Sequence, residues 1–246
     1  MFSITFLIPQ STTEGFVQVA NVAPNSPAER AGIQARDTIL KVNGRAVQST
    51  QELSYNIRLN LGSPTTMLVQ RGERQLAILT TPRWNPPAGE GPTGIQVRLV
   101  GAYPMTRSYP IWEAVPLGAQ RTWEILVLTK NEITRWIIGV ASPQLAGPIG
   151  IYQITGEVAR AGVVPLMDFT ALLSINLAIM NILPIPMLDG GRLLFIAIEV
   201  VRRGRRISPQ RESLVHMVGF AVMIALAVVV SFFDIQRLLR GESFLR

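Results

Sequence analysis

The sequence predicts an α+β protein in two parts: a small β-rich domain, then an amphipathic helix leading into a two-span transmembrane helical region. Three observations lead there. From Phe169 to Leu188, and again from Leu214 to Phe233, the chain has no Asp, Glu, Lys or Arg. As a helix, either run reaches about the 30 Å of a bilayer core. Residues 15–83, by contrast, carry closely spaced strand and turn signals. Between the two charge-free runs lie Arg192, Arg202, Arg203, Arg205, Arg206 and Arg211, a clustering that the positive-inside rule places in the cytoplasm.

The opening residues, "MFSITFLIPQ", are apolar but too short to span, and they lack the basic region of a signal peptide. They read either as the last turns of a membrane helix or as a plain first strand. "GFVQVANV" has strand composition, with valines in partial alternation. In "APNSPAERAGI", Ser26 is placed as an N-cap, Pro27 as the first helical residue and Gly32 as the stop. "ARDTILKVNGRAV" gives a strand over Thr38 to Val42 and a tight turn at Asn43-Gly44, a dipeptide favoured where φ must be positive. "STQELSYNIRLN" is a helix with a polar start at Ser49, and "TTMLVQRGERQLAILTT" a hairpin turning at Arg71-Gly72. A Pro/Gly-rich stretch, "PRWNPPAGEGPTG", leads to one more strand, "IQVRLV".

Ile111 to Val140 has a helical period. Trp123, Leu126, Val127 and Ile137 share one face, while Glu124, Lys130 and Arg135 are expected to be solvated. Trp112, Trp123 and Trp136 suit a membrane interface; a helix packed on the preceding module accounts for the pattern equally well. "LAGPIGI" breaks the chain before the first span. The chain has no cysteine, which excludes disulfides and thiolate metal sites. The arginine cluster lacks interleaved aromatics and sits between two spans, so no nucleic-acid partner is expected.

The first charge-free run ends in "NILPIPMLDGG". Pro184 and Pro186 prevent a regular helix there, and Gly190-Gly191 permits a bend. Non-helical backbone at membrane depth is tolerated only when buried in protein or lining a wet cavity. An ionisable group at that depth is costly, so Asp189 needs a partner, for which a cation is the obvious choice; alternatively Asp189 marks a solvated span end. Asn176 is open to a structural role too, since polar side chains also hold helices together in membranes.

Two stretches carry family resemblance. "SPAERAGIQARDTILKVNGRAV" resembles the core of a bacterial PDZ domain over roughly residues 15–100, with Arg36-Asp37 where that family more often has Gly-Asp. "LAGPIGI" and "LLSINLAIMNILPIPMLDGGRLLFIAIE" resemble the C-terminal half of the site-2 protease family, the intramembrane zinc metalloproteases of peptidase family M50. The order of parts also matches: PDZ domain, "GAQRTW" helix, Gly-Pro-Ile loop, Asn-x-x-Pro-x-Pro-x-Leu-Asp-Gly-Gly span, basic loop and last span. The resemblance implies a PDZ-like β-sandwich or barrel over 15–103, of the circularly permuted type. Residues 1–14 would be the remnant of a preceding membrane helix, 104–160 an amphipathic interfacial connector, and 161–246 a membrane domain with spans about 166–188 and 214–233. It implies Asp189 as the third zinc ligand, supported by Pro184, Pro186, Gly190 and Gly191, with Asn176 and Asn181 lining the catalytic site. A strand-adding peptide or protein C-terminus would bind Gly94-Ile95-Gln96-Val97; an edge strand that merely completes the fold is the other reading of those four residues.

The family takes two histidines and a glutamate base from a His-Glu-x-x-His helix. This chain has one histidine, His216, read as an ordinary residue near a span end. Zinc is therefore expected only if the missing histidine ligands come from an absent N-terminal part or from a partner chain, and the chain alone is expected to be inactive. Three explanations stand open: a C-terminal portion of a longer protease, one half of a split enzyme, or a non-catalytic membrane-anchored PDZ adaptor. The expected partners are a transmembrane protein substrate and the lipid bilayer. The expected location is the inner or plasma membrane, multi-pass, with the PDZ domain outside, gating or recognising substrate, and an Arg-rich loop over 189–213 in the cytoplasm.

Overall fold

A computed structural model describes residues 1–141, 147–202 and 208–240, with the backbone alone for Pro209 and Arg211. The chain divides into two compact units, one of Phe6–Ser142 and the other of Met1–Thr5 with Pro143–Arg246. Across that division lies a short helix, α1 (Phe2–Leu7).

The unit of Phe6–Ser142 is built on one antiparallel sheet. Its strands are β1 (Gln10–Val22), β2 (Thr38–Val42), β3 (Arg45–Ala46), β4 (Thr65–Arg71), β5 (Arg74–Thr80) and β6 (Ile95–Arg107). They lie in the order β5-β4-β2-β1-β6, with β3 paired to β2. The sequence pattern predicts a first strand from residue 15 and a last strand ending at Val100. Both continue, because β1 and β6 pair with each other from Val22↔Ile95 to Gln10↔Arg107. The register shifts at Glu14/Phe16, beside Gly15, where a Cβ would lie 2.8 Å from the Val100 carbonyl oxygen. Alternation puts Val17, Val19, Ile39, Val42, Met67 and Val69 into one buried core with Leu53 and Ile57. Asn43 and Gly44 both take positive φ, 47° and 80°, as their turn requires.

Two short sequence signals fix the helices of this unit. Ser26 caps α2 (Pro27–Arg30) by accepting the Glu29 amide, and the Glu29 carboxylate accepts the Asn25 amide in return. Ser49 and Glu52 do the same for α3 (Thr50–Leu59), Glu52 reaching back to the Gln48 amide. Each pair satisfies two otherwise orphaned donors. Asp37, buried between β1 and β2, holds the β2 entry to β4. Arg71 donates to both its oxygens at 2.8 and 2.7 Å, and the Gln34 amide donates at 2.9 Å.

Helix α4 (Ile111–Ile137) departs from the expected orientation. Glu124, expected in solvent, is 6% exposed, while Trp123 is 67% and Ile137 79% exposed. The polar side of α4 docks because the module offers it matched donors and acceptors. Arg45, Tyr55 and Gln120 all donate to the Glu124 carboxylate. The Asn131 amide donates to the Arg58 and Leu59 carbonyls, which α3 leaves free at its C-terminus. The apolar stripe, including Trp112 and Val115, is left outward.

The second unit is helical: α5 (Pro148–Ala161), α6 (Val163–Ile182), α7 (Asp189–Val201) and α8 (Pro209–Leu239). Gly147 stands at the N-cap of α5 with no side chain to cap it. Asp234 of α8 substitutes, its Oδ2 accepting the Gly147 and Gly150 amides at 2.9 and 2.8 Å. Two helices, α6 and residues Glu212–Leu239 of α8, are long and apolar enough to cross a membrane, and they are almost wholly unburied. Their apolar side chains therefore face outward rather than into a protein core, which fits a membrane protein. The first run, expected to span to 188, is helical only to Ile182. Residues 189–201, expected as loop, form α7, because "RLLFIAIEVV" has a continuous helical apolar pattern that the arginines around it obscured. Arg203, Arg205 and Arg206 lie outside the described residues, and of Arg211 only the backbone is described.

Candidate functional site

The candidate site is the junction between α6 and α7. Helix α6 ends because Leu183 precedes a proline, which disfavours helical backbone at that residue, and Leu183 is extended at φ −64°, ψ 142°. Pro184 and Pro186 then sit in a six-residue turn between Ile182 and Asp189. The turn reverses at Met187, whose φ of 86° is in the left-handed region and unusual for a residue with a side chain. Asp189 opens α7. Its carboxylate is exposed, at the end of the helix that favours negative charge.

Gly190 and Gly191 serve a different purpose from the bend expected of them. Neither has positive φ; both are buried in the first turn of α7. A Cβ on Gly190 would overlap the carbonyl oxygens of Ile182 and Leu183, and one on Gly191 would overlap that of Ile185. The glycine pair lets the start of α7 lie flush against the end of α6. Asn181 is in the last turn of α6 and Asn176 lies about 1.4 turns earlier, so the two amides point about 140° apart. Both are half-buried. Asp189 and Asn181 thus share one corner of the unit, and Asn176 lies lower on the same helix.

Three residues at this corner carry no signal that the sequence reading used. Met187 donates its amide to Nδ1 of His216 at 2.9 Å. Gly219, one turn further along α8, leaves room for Pro186, whose Cβ would be 2.6 Å from a Cβ there. Phe195 of α7 packs on the imidazole, with ring centroids 5.6 Å apart. The available signal was the His-x-x-Gly spacing, which puts both residues on one face of a helix.

Among the described residues no group of three or more His, Cys, Asp and Glu is placed to hold a metal ion. The chain's one imidazole already accepts a backbone amide through Nδ1; its Nε2 is buried with no hydrogen-bond partner among the described residues, and Glu212, not Asp189, stands 4.0 Å from it. A catalytic zinc takes three protein ligands and an open position. This chain's own residues do not make that set.

The second candidate surface is the Gly94–Val97 segment. Gly94 has φ 78° and is buried against Ser26, where a Cβ would collide. The Ala23 amide donates to its carbonyl oxygen at 2.8 Å and the Ala28 amide to that of Thr93 at 3.0 Å, pinning the turn to α2. From Ile95, β6 runs along β1 at the end of the sheet, and among the described residues its other edge carries no strand. Ile95, Val97 and Leu99 pack on the core, and Gln96 and Arg98 are exposed.

Comparison with known proteins adds a lineage to this geometry. The sequence model of peptidase family M50 matches residues 2–226. The zinc metalloprotease RasP of Oceanobacillus iheyensis is 34% identical over 222 residues, covering 90% of this chain and 52% of that protein. The regulator of sigma-E protease RseP of Escherichia coli is 34% identical over 224 residues, covering 89% and 50%. The regulator of sigma-W protease RasP of Bacillus subtilis is 34% identical over 221 residues, covering 89% and 51%. The chain spans about half the length of the curated relatives it matches. Among solved structures, the PDZ domain of an SdrC-like protein from Listeria monocytogenes has a TM-score of 0.30 at 24% identity, covering 35% of this chain and 90% of that one. The HtrA3 PDZ domain bound to a phage-derived ligand has 0.26 at 31%, covering 35% and 66%.

Proposed function

The chain belongs to peptidase family M50, and on that premise we propose that it provides the Asp189 half of an intramembrane zinc metalloprotease that cleaves transmembrane helices. The observation that carries this is the presentation of Asp189: an exposed carboxylate at a helix start, held by a proline turn and a glycine pair directly after a helix long enough to cross a membrane. A solvated span end has no need of a glycine pair packed to backbone contact. Asp189 contributes one metal ligand, and the two imidazoles and the glutamate base come from outside these 246 residues. This chain's own residues bind and orient. Asn181, beside the turn, donates its amide to the carbonyl of an unwound substrate strand, and Asn176, lower on α6 and pointing about 140° away, contacts the substrate separately.

Within the unit of Phe6–Ser142, residues 15–103 act as the PDZ domain of this protease. A substrate segment adds to the open edge of β6 along Gly94, Ile95, Gln96 and Val97, receiving backbone hydrogen bonds there. It lies on the outer face, where it recognises substrate or keeps bulky ectodomains away from the membrane site. The outward stripe of α4, with Trp112 and Trp123, rests at the lipid interface. The alternative is a membrane-anchored peptide-binding adaptor, favoured by the single histidine and the open β6 edge.

The test is reconstitution. The chain is fused to the portion of the Escherichia coli relative that it leaves uncovered, and cleavage of a transmembrane substrate is followed in proteoliposomes. The expected result is no cleavage by the chain alone, cleavage by the fusion, and a loss of at least ~100-fold in the Asp189→Asn fusion, since even outer-shell partners of a metal cost ~10–100-fold when mutated. A D189N fusion as active as the unaltered fusion would sink Asp189 as a ligand, whereas a folded fusion that does not cleave would leave the adaptor as the remaining reading.

A further inference from the structure

We infer that His216 and Gly219 of α8 form a cradle that fixes the Met187 turn, so that His216 is a positioning residue for the start of α7. The functional consequence rests on the role of Asp189 proposed above; the cradle itself does not.

The turn needs an external constraint. A left-handed φ on a residue with a Cβ costs about 1–2 kcal/mol and persists only where the surroundings enforce it. Pro184 and Pro186 have no amide to donate, so the turn holds itself by few internal hydrogen bonds: Ile185 to Leu183 and Leu188 to Ile185. The Met187 amide points out of it and is taken by Nδ1 of His216. Because an amide can only donate, Nδ1 must be the unprotonated nitrogen, which fixes the tautomer as Nε2–H.

The other contacts converge on the same atoms. Gly219 brings the α8 backbone to within side-chain-free distance of Pro186, where even a methyl group would sit 2.9 Å from the Pro186 carbonyl oxygen. Phe195, on the helix that Asp189 opens, closes over the imidazole. One face of α8 thus touches the turn just before Asp189 and the helix just after it. With Met187 fixed, only Leu188 separates the anchored amide from Asp189, leaving the carboxylate little freedom to move along the turn.

A single histidine makes this directly measurable. The full chain, labelled with 15N-histidine in lipid nanodiscs at neutral pH, is expected to show one imidazole whose Nδ1 is unprotonated and hydrogen-bonded. Amide exchange across 183–191 is compared between the natural chain, His216→Asn, whose Oδ1 can replace the acceptor, and His216→Phe, which keeps ring volume without one. His216→Phe is expected to exchange the Met187 amide about tenfold faster, the factor one net hydrogen bond is worth. His216→Asn should restore slow exchange. An Nδ1–H tautomer in the natural chain, or equal exchange in all three proteins, overturns the cradle even if one variant folds poorly. If the cradle holds while the D189N fusion keeps full activity, the positioning stands and the ligand role of Asp189 falls.

Discussion

Asp37 shows how one buried carboxylate ties a local sequence signal to the stability of a whole module. Burial alone would raise its carboxyl group; the two hydrogen bonds from Arg71 and the Gln34 amide outweigh that and hold it below the ordinary carboxylate value. A lowered folded-state value means the stabilisation is complete above the unfolded carboxyl near pH 4 and is lost as pH falls through the lower folded one. Asp37→Asn should cost about 2 kcal/mol at neutral pH, reduced from the fully buried case because Arg71 is partly solvated. It should also remove part of the acid sensitivity below pH 4, read as the slope of the module's unfolding midpoint against pH; an unchanged slope would sink the assignment. Arg36, next to it, has φ 75°. That explains why glycine is the commoner residue in the sequence pattern and predicts that Arg36→Gly stabilises the module by about 1 kcal/mol, seen as a raised thermal midpoint. Both residues were legible in the sequence as a pattern. Their reasons were not, since neither an ion-pair partner 34 positions away nor a dihedral angle is written in local composition.

At the scale of elements, the sequence was most legible where short-range chemistry decides. Ser26, Ser49, Asn43-Gly44 and strand β2 lie where capping and turn rules put them, because each is settled within about four residues. Helix α4 was legible as an element but not in its orientation. Periodicity finds a helix with two faces, and a rule that sends polar residues outward left Lys130 exposed as expected but misplaced Glu124, for which Arg45, Tyr55 and Gln120 supply buried partners. Burial would raise the Glu124 carboxyl, but hydrogen bonds from Gln120 and Tyr55 and the charge of Arg45 prevail and lower it. Burial, together with the Glu124 carboxylate, pushes Tyr55 upward. Glu124→Ala should therefore free the middle of α4, with amides around 120–131 exchanging about tenfold faster or more, while Glu124→Gln gives a smaller change. Unaltered exchange in E124A would mean the ion pair does not hold the helix. The glycine pair of α7 separates packing from propensity in the same way. Gly190→Ala and Gly191→Ala meet backbone oxygens and should each cost about 1–3 kcal/mol, whereas Gly156→Ala in α5, with open space around it, should gain about 0.5–1 kcal/mol. A neutral G190A in thermal unfolding would remove the case for close approach at that corner.

Across the whole molecule, the placement of charge decides how the helices sit in a bilayer. Six arginines stand between Leu188 and Glu212, and the two long apolar helices flank them. The positive-inside rule predicts that this connection is cytoplasmic, which would put the start of α6, with the module before it, on the other face. Helix α7, 13 residues long, is too short to span a bilayer core, and with Arg192 and Arg202 bracketing its apolar stretch the same rule predicts that it stays with the basic connection. Because the chain has no cysteine, single introduced thiols report topology without background. Ser63→Cys, in the exposed turn before β4, should react with a membrane-impermeant maleimide in intact spheroplasts. Arg202→Cys, exposed at the end of α7, should react only after the membrane is opened. The charge rule acts through arginine number, so replacing Arg192 and Arg202 by glutamine together should weaken this asymmetry without abolishing it, because the remaining arginines still bias the connection inward. Labelling of Arg202→Cys in intact cells would place the module and its open β6 edge in the cytoplasm, where an external substrate segment could not reach it, and the proposed role of that edge on the outer face would fall.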